Sequence, residues 1–183
     1  VTGDGYTEDA AARQTLHGTT GADTNAAAKS YEGFTAQAVV QQAIAADGST
    51  VVEIKYDRNS YEVTYAYVGT APAGASALPE KATVKYGAPV TVAEAATAPG
   101  YTFSGWSRND FTMPAENVTI TGSFTANGDT AYTVEHYQQN VTDDDYTLAD
   151  KESKTGATGQ LTAAESKSYP GFTAPQSITQ QTV

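Results

Sequence analysis

The 183-residue sequence contains no cysteine, which removes disulfides, thiolate catalysis and zinc–thiolate sites together. Leucine is scarce, at positions 16, 78, 148 and 161 only. No apolar run approaches the roughly 20 residues that a membrane-spanning helix needs. Histidine is limited to His17 and His136, so acid–base catalysis is short of parts. Positive charge is short as well: 10 Lys and Arg against 21 Asp and Glu leave a net charge of −11. A chain of that sign is repelled by nucleic-acid phosphates and anionic lipid alike, so no nucleic-acid partner and no membrane insertion are expected. What dominates instead is Thr, Ala, Val, Gly and Tyr, with 12 Tyr against one Trp. That composition suits strands and turns better than helical bundles. The length allows one or two domains with a real core. Val1 is no initiator and follows no signal-like run, so the chain reads as processed or as a window of something longer.

Internal similarity organises the sequence. Lys29-Ser30-Tyr31-Glu32-Gly33-Phe34-Thr35-Ala36 matches Lys167-Ser168-Tyr169-Pro170-Gly171-Phe172-Thr173-Ala174, 138 residues on. Val1-Thr2-Gly3-Asp4-Gly5-Tyr6-Thr7 matches Val141-Thr142-Asp143-Asp144-Asp145-Tyr146-Thr147, and Gly18 and Gly21 match Gly156 and Gly159. At the same offset Gln41-Gln42 falls on Thr179-Gln180, with Gln181 beside them. A weaker echo, Pro99-Gly100-Tyr101-Thr102, lies between the two copies and implies a unit of about 70 residues. The phasing predicts three parts. Residues 1–59 form a partial module lacking its first strand, 60–127 a complete one, and 131–183 a partial module lacking its last strand. Asn127-Gly128-Asp129-Thr130 carries the residues of an inter-module turn.

Alternation of Val118, Ile120, Gly122 and Phe124 with threonines and serine predicts a half-buried strand, as does Val52, Ile54 and Tyr56 within 51–58. Strands are also expected over 61–68, 101–107 and 132–139. Thr162 and Glu165 have capping-box spacing, which predicts a short helix over 162–168 and a weaker one over 24–30. Ala93 to Ala96 adds a single helical turn. The expected fold class is therefore α+β, rich in strands, built from tandem small modules with short helices.

The run Gly100-Tyr101-Thr102-Phe103-Ser104-Gly105-Trp106, with Phe111-Thr112-Met113-Pro114-Ala115 and Asn117-Val118-Thr119-Ile120, resembles the Listeria–Bacteroides repeats of bacterial surface proteins. Tyr132-Thr133-Val134-Glu135-His136-Tyr137, Tyr169-Pro170-Gly171-Phe172 and Tyr56-Asp57-Arg58-Asn59 in the flanks are similar to mucin-binding-protein (MucBP) and internalin B-repeat modules. These resemblances imply β-grasp-like modules in tandem arrays, extracellular and attached to the wall of Gram-positive or gut bacteria through a region outside this sequence. They imply adhesion or stalk duty and no shared catalytic residues, cofactor or metal.

Each candidate site has a duller reading beside it. His136 lies between Glu135 and Tyr137 on a strand, where neighbours face opposite ways and Glu135 cannot orient the ring. His17 is replaced by Thr155 in the duplicate. Asp143-Asp144-Asp145 offers oxygens in a turn but not the spacing of a calcium loop. Lys55 serves a Lys–Asn crosslink only if buried beside an acid. Trp106, Tyr101 and Tyr137 remain as candidate ligand or inter-module contacts. Strand alternation puts Trp106 on the face opposite Tyr101 and Phe103.

The leading functional expectation is a non-catalytic repeat segment of a bacterial surface protein, serving as adhesin or stalk. Its partners would be neighbouring modules and, for an adhesin, host mucin, glycan or a surface protein. The alternative is a self-assembling extracellular filament. In it, head-to-tail copies complete each other's half-modules by strand complementation.

Overall fold

The computed structural model describes residues 5–183. Among the described residues eleven strands follow one another: β1 Phe34–Ala36, β2 Tyr56–Arg58, β3 Ser60–Tyr67, β4 Ala82–Lys85, β5 Pro89–Val90, β6 Tyr101–Phe103, β7 Phe111–Thr112, β8 Val118–Gly122, β9 Phe124–Ala126, β10 Thr130–Gln139 and β11 Tyr146–Gly156. The helical content of the described residues is one 3-10 turn at Ala10–Ala12. This overturns the α+β expectation and, with it, β-grasp-like modules carrying short helices. The fold is nearly all β, in several small sheets.

The reason is local. The expected helix over 162–168 is shorter than the roughly 12–15 residues at which an isolated helix becomes stable, and it has no apolar stripe to dock. Thr162 does cap a backbone N–H, but the wrong one for a helix. Its hydroxyl accepts from Gln181 N at 3.0 Å. Residues 162–169, 24–30 and 93–96 are neither helix nor strand.

The chain divides into two compact units. The first comprises Val1–Thr64, Lys81–Thr91 and Asp110–Thr119. Here β1 and β2 pair antiparallel, with Phe34 opposite Arg58, Thr35 opposite Asp57 and Ala36 opposite Tyr56. Residues 60–63 of β3 pair with β4, and β5 pairs with β7. Val63, Val90, Met113 and Val118 are its buried apolar side chains.

The second unit comprises Tyr65–Glu80, Val92–Asn109 and Ile120–Val183. In it β6 pairs with β9, and β10 with β11 form a long hairpin with a bulge between His136 and Tyr137. Ala96, Ala98 and Ile120 are buried here. Tyr65, Tyr67, Phe103, Trp106 and Phe124 make one aromatic cluster. In both units the buried apolar side chains fall between Val63 and Ile120. The duplicated flanks therefore rest on hydrogen bonds and half-buried aromatics rather than on a core of their own.

The duplication is visible in the hydrogen bonds. In the N-terminal copy Gly21 N donates to Ile44 O, Ile44 N to Ala22 O and Thr24 N to Gln42 O, at 2.8–2.9 Å. In the C-terminal copy Gly159 N donates to Val183 O, Val183 N to Gln160 O and Thr162 N to Gln181 O, again at 2.8–2.9 Å. Gln41 and Gln42 therefore correspond to Gln180 and Gln181, not to Thr179 and Gln180. Pro175 is the extra residue that shifts the offset by one.

A glutamine side chain completes each ladder. Gln180 Oε1 accepts from Ala164 N at 2.8 Å while Nε2 donates to Ala164 O at 2.9 Å. Gln41 does the same for Ala26, at 2.9 and 2.8 Å. A primary amide carries a donor and an acceptor like a peptide group, so it substitutes for a missing strand. Gln180→Ala leaves the half-buried Ala164 donor and acceptor to solvent. It is expected to cost about 1–3 kcal/mol, whereas exposed Gln176→Ala should stay within about 0.5. Urea unfolding of both variants measures the difference, and equal values would remove the clamp from the account.

Candidate functional site

Trp106 is half-buried in the aromatic cluster. Its indole N–H donates to Glu94 O at 2.9 Å, and its ring stacks on Tyr67 at 5.9 Å. It also meets Phe103 edge-on at 4.9 Å. The alternation argument that separated Trp106 from Phe103 therefore fails. β6 ends at Phe103, and Gly105 takes a positive φ of 83°, which swings Trp106 back to the same side. Tyr101 pairs with Ala126, and a Cβ on Gly159 would lie 3.5 Å from its hydroxyl. Tyr137 is 52% exposed and donates to Glu135 Oε2 at 2.7 Å. The structure does not bring the three together.

A charged cluster that the sequence did not single out lies on the β10–β11 hairpin. Lys167 Nζ binds the carboxylates of both Asp150 and Glu152. His136, its side chain 10% exposed, sets Nε2 at 3.8 Å from Glu152. Glu135 lies on the opposite face of β10 and pairs with Lys151 at 2.8 Å, so it does not orient His136, as the strand period requires. The hydrogen bonds from Lys167 hold the carboxyls of Asp150 and Glu152 below their ordinary range, and the Lys167 ammonium is correspondingly raised. Lys167, Asp150 and Glu152 thus form an ion-pair network beside His136.

The sign of its pH dependence follows. Carboxyls depressed in the folded state stabilise above their unfolded values, near 4, and that stability is lost as pH falls through the folded ones. The raised lysine contributes fully below about 10.5 and is lost only in strong alkali. The C-terminal copy is thus expected to keep its thermal midpoint from pH 8 to 5 and lose it below about pH 4. Lys167→Met should flatten the acid limb. An unchanged limb in that variant would place the acid sensitivity elsewhere.

The other candidates are spent locally. Asp143 accepts from Asn140 Nδ2 at 2.7 Å and from Asp145 N at 3.0 Å, inside the hairpin turn. Its N-terminal counterpart begins at Gly3 and Asp4, which lie outside the described residues. Lys55 sits 5.3 Å over the Tyr6 ring, and Tyr6 donates to Asp57. An open groove of about 370 Å³ is lined by Gln37, Val40, Val51, Glu53 and Lys55, among others. It offers two charges and two exposed valines, not a converging set of catalytic groups.

What remains decisive is the pattern that builds the middle segment. Buried Met113, Val118 and Ile120 lie within the run from Gly100 to Ile120, whose motifs carry the resemblance. Residues 61–128 match the divergent InlB B-repeat domain. No curated protein and no solved structure matches the chain. The match bears out the resemblance of the middle segment to the Listeria–Bacteroides repeats and gives the internalin B-repeat likeness, expected in the flanks, to residues 61–128 instead. The B-repeat is a bacterial surface repeat domain, typically non-catalytic. Repeats of that family point to an extracellular or cell-surface location. No helix among the described residues is long and apolar enough to cross a membrane.

Proposed function

We propose that this chain is a stalk segment of a bacterial surface protein, in which a B-repeat joins two copies of a MucBP-like module. The B-repeat match carries this reading. The aromatic geometry favours a spacer over a sugar-binding adhesin. Trp106 is engaged on its ring face and at its N–H, and the other candidates, Tyr101 and Tyr137, do not share a platform with it. The partners of a stalk are its neighbouring modules. Glycan-array and mucin-coated-surface binding of the 183-residue chain tests this. A stalk gives no saturable signal, whereas saturable binding lost in Tyr137→Ala would make the chain an adhesin.

The filament reading is the weaker one. Exchange of half-modules between copies requires β2 to leave β1 or β10 to leave β11, and both pairs are already formed within one chain. Light scattering after size exclusion is expected to give a monomer across a concentration series. Oligomers that grow with concentration would reinstate the filament.

A further inference from the structure

Two asparagines make the same joint at different places in the chain. Asn59 N donates to Gly33 O at 2.9 Å, and Asn59 O accepts from Tyr86 N at 2.8 Å. The Asn59 side chain closes the joint, its Oδ1 accepting from Thr35 Oγ1 at 2.6 Å. Asn127 repeats every bond. Its N donates to Gly100 O at 2.9 Å, its O accepts from Thr158 N at 2.9 Å, and its Oδ1 accepts from Thr102 Oγ1 at 2.7 Å. Gly33 and Gly100 both take a φ of +75°. Each asparagine thus fastens a Gly-aromatic-Thr turn to a segment further along the chain, and each joint lies within one compact unit.

The joints differ in the residue that follows the asparagine. Ser60 opens β3 and is paired with Lys85 of β4. Gly128 is exposed, lies between β9 and β10, and donates to no acceptor among the described residues. Nothing in the fold asks for glycine there. Among the described residues, every other glycine takes a positive φ or would set a Cβ 3.1 Å or less from a neighbour. Gly128 does neither, and a Cβ on it meets nothing within 4 Å. What glycine supplies instead is access, since no side chain keeps its amide nitrogen from the preceding side-chain carbonyl.

We propose that Asn127-Gly128 is a self-modification site, at which deamidation opens the joint. Gly128 N attacks Asn127 Cγ. The N–Cγ bond forms, the Cγ–Nδ2 bond breaks, and ammonia leaves with the proton of the Gly128 amide. Water then opens the cyclic imide at one of its two carbonyls. Attack at Cγ gives aspartate, whose carboxylate still accepts from Thr102. Attack at the main-chain carbonyl carbon gives isoaspartate, and the chain then runs through Cβ and Cγ. One methylene is thereby inserted ahead of β10, and the oxygen that Thr158 binds becomes a side carboxylate no longer fixed by a peptide plane. The Asn59 joint keeps its bonds, because Ser60 carries a side chain and is held in the β3–β4 pair. The chemistry is the same whether the chain serves as stalk or adhesin.

The test ages the full chain in mildly alkaline buffer at body temperature. Peptide mapping by mass spectrometry is expected to find amide-to-acid conversion at Asn127, as isoaspartate and aspartate together, with Asn59 intact. Gly128→Ala, which the open space accommodates, should abolish the conversion without moving the urea midpoint of the fresh protein. Amide hydrogen exchange reads the joint itself. In the isoaspartate form, exchange at Thr158 should quicken by about tenfold, the contribution of one hydrogen bond, while Tyr86 stays as protected as before. Asn127→Asp should leave both amides protected. Three results overturn the proposal. Conversion in urea but not in the folded chain would mean that the joint protects its own asparagine. Equal conversion at Asn59 and Asn127 would remove the role of Gly128. Unchanged exchange at Thr158 in the isoaspartate form would mean that the joint stays closed.

Discussion

Ile120→Ala is expected to destabilise the protein by about 2–5 kcal/mol, the cost of lost transfer energy plus an unfilled cavity. Ile120 is 0% exposed, the most buried side chain among the described residues. Along β8, Val118, Ile120 and Gly122 are buried while Thr119 faces water, as period two demands. The buried apolar set is small, and a module of about 70 residues has only about 3–5 kcal/mol of net stability to lose. Removal of its best-buried member should therefore unfold the B-repeat core at room temperature or nearly so. Trp106 is the one tryptophan, and its stack on Tyr67 makes its emission a reporter of this region. Urea unfolding followed at that residue should show a lower midpoint with an unchanged slope. Val141→Ala, on a fully exposed side chain, should stay within about 0.5 kcal/mol of the parent. A loss below 1 kcal/mol at Ile120 would mean that the site collapses around the smaller residue and that the core lies elsewhere.

What was legible in the sequence is what depends on neighbours in sequence. The alternation over 118–124 returns as β8 and β9, that over 51–58 returns only as the three residues of β2, and the strands expected over 61–68 and 132–139 return as β3 and inside β10. The repeat was legible too, because Gly-Phe-Thr-Ala and its glycines fix the same turn twice. What was not legible depends on distant partners. Phe34–Ala36 is a strand and Phe172–Ala174 is not, although their residues are the same. Likewise Tyr146–Gly156 is a strand against β10, whereas the aligned stretch after Tyr6 forms none and includes a 3-10 turn. A strand is a property of the pair, since an isolated edge gains no ladder bonds. The helices failed for a related reason: the Thr162 hydroxyl that suggested a cap serves a ladder with the distant residue Gln181. The glutamine clamps left one signal, the recurrence of paired glutamines downstream of the duplicated threonine, but a one-residue insertion displaced it. The Lys167 network left none, since Lys167 meets Asp150 and Glu152 only once the hairpin is closed. Trp106 was misplaced because Gly105 interrupts the alternation one residue before it.

Gly33→Val and Gly171→Val offer the sharpest comparison, because the duplication supplies its own control. Both glycines sit at positive φ, so each substitution incurs the left-handed backbone penalty of roughly 1–2 kcal/mol. Only Gly33 also meets a wall. A Cβ there falls 2.3 Å from Cγ and Cδ1 of Tyr86, whose ring is set edge-on against Phe34 at 5.6 Å. That ring has little room to yield. Tyr86 N donates to Asn59 O at 2.8 Å, and Tyr86 O accepts from Arg58 at 2.9 Å, so its backbone is tied on both sides. Overpacking of this kind adds about 1–3 kcal/mol. The expected loss is therefore about 2–5 kcal/mol at Gly33 and about 1–2 at Gly171, both read from urea midpoints. Tyr86→Ala in the Gly33→Val background should bring the two costs together, since it removes the wall and leaves the backbone term. Equal costs in the parent would mean that Tyr86 moves aside freely, and the N-terminal copy would then be no more firmly packed at this turn than its open duplicate.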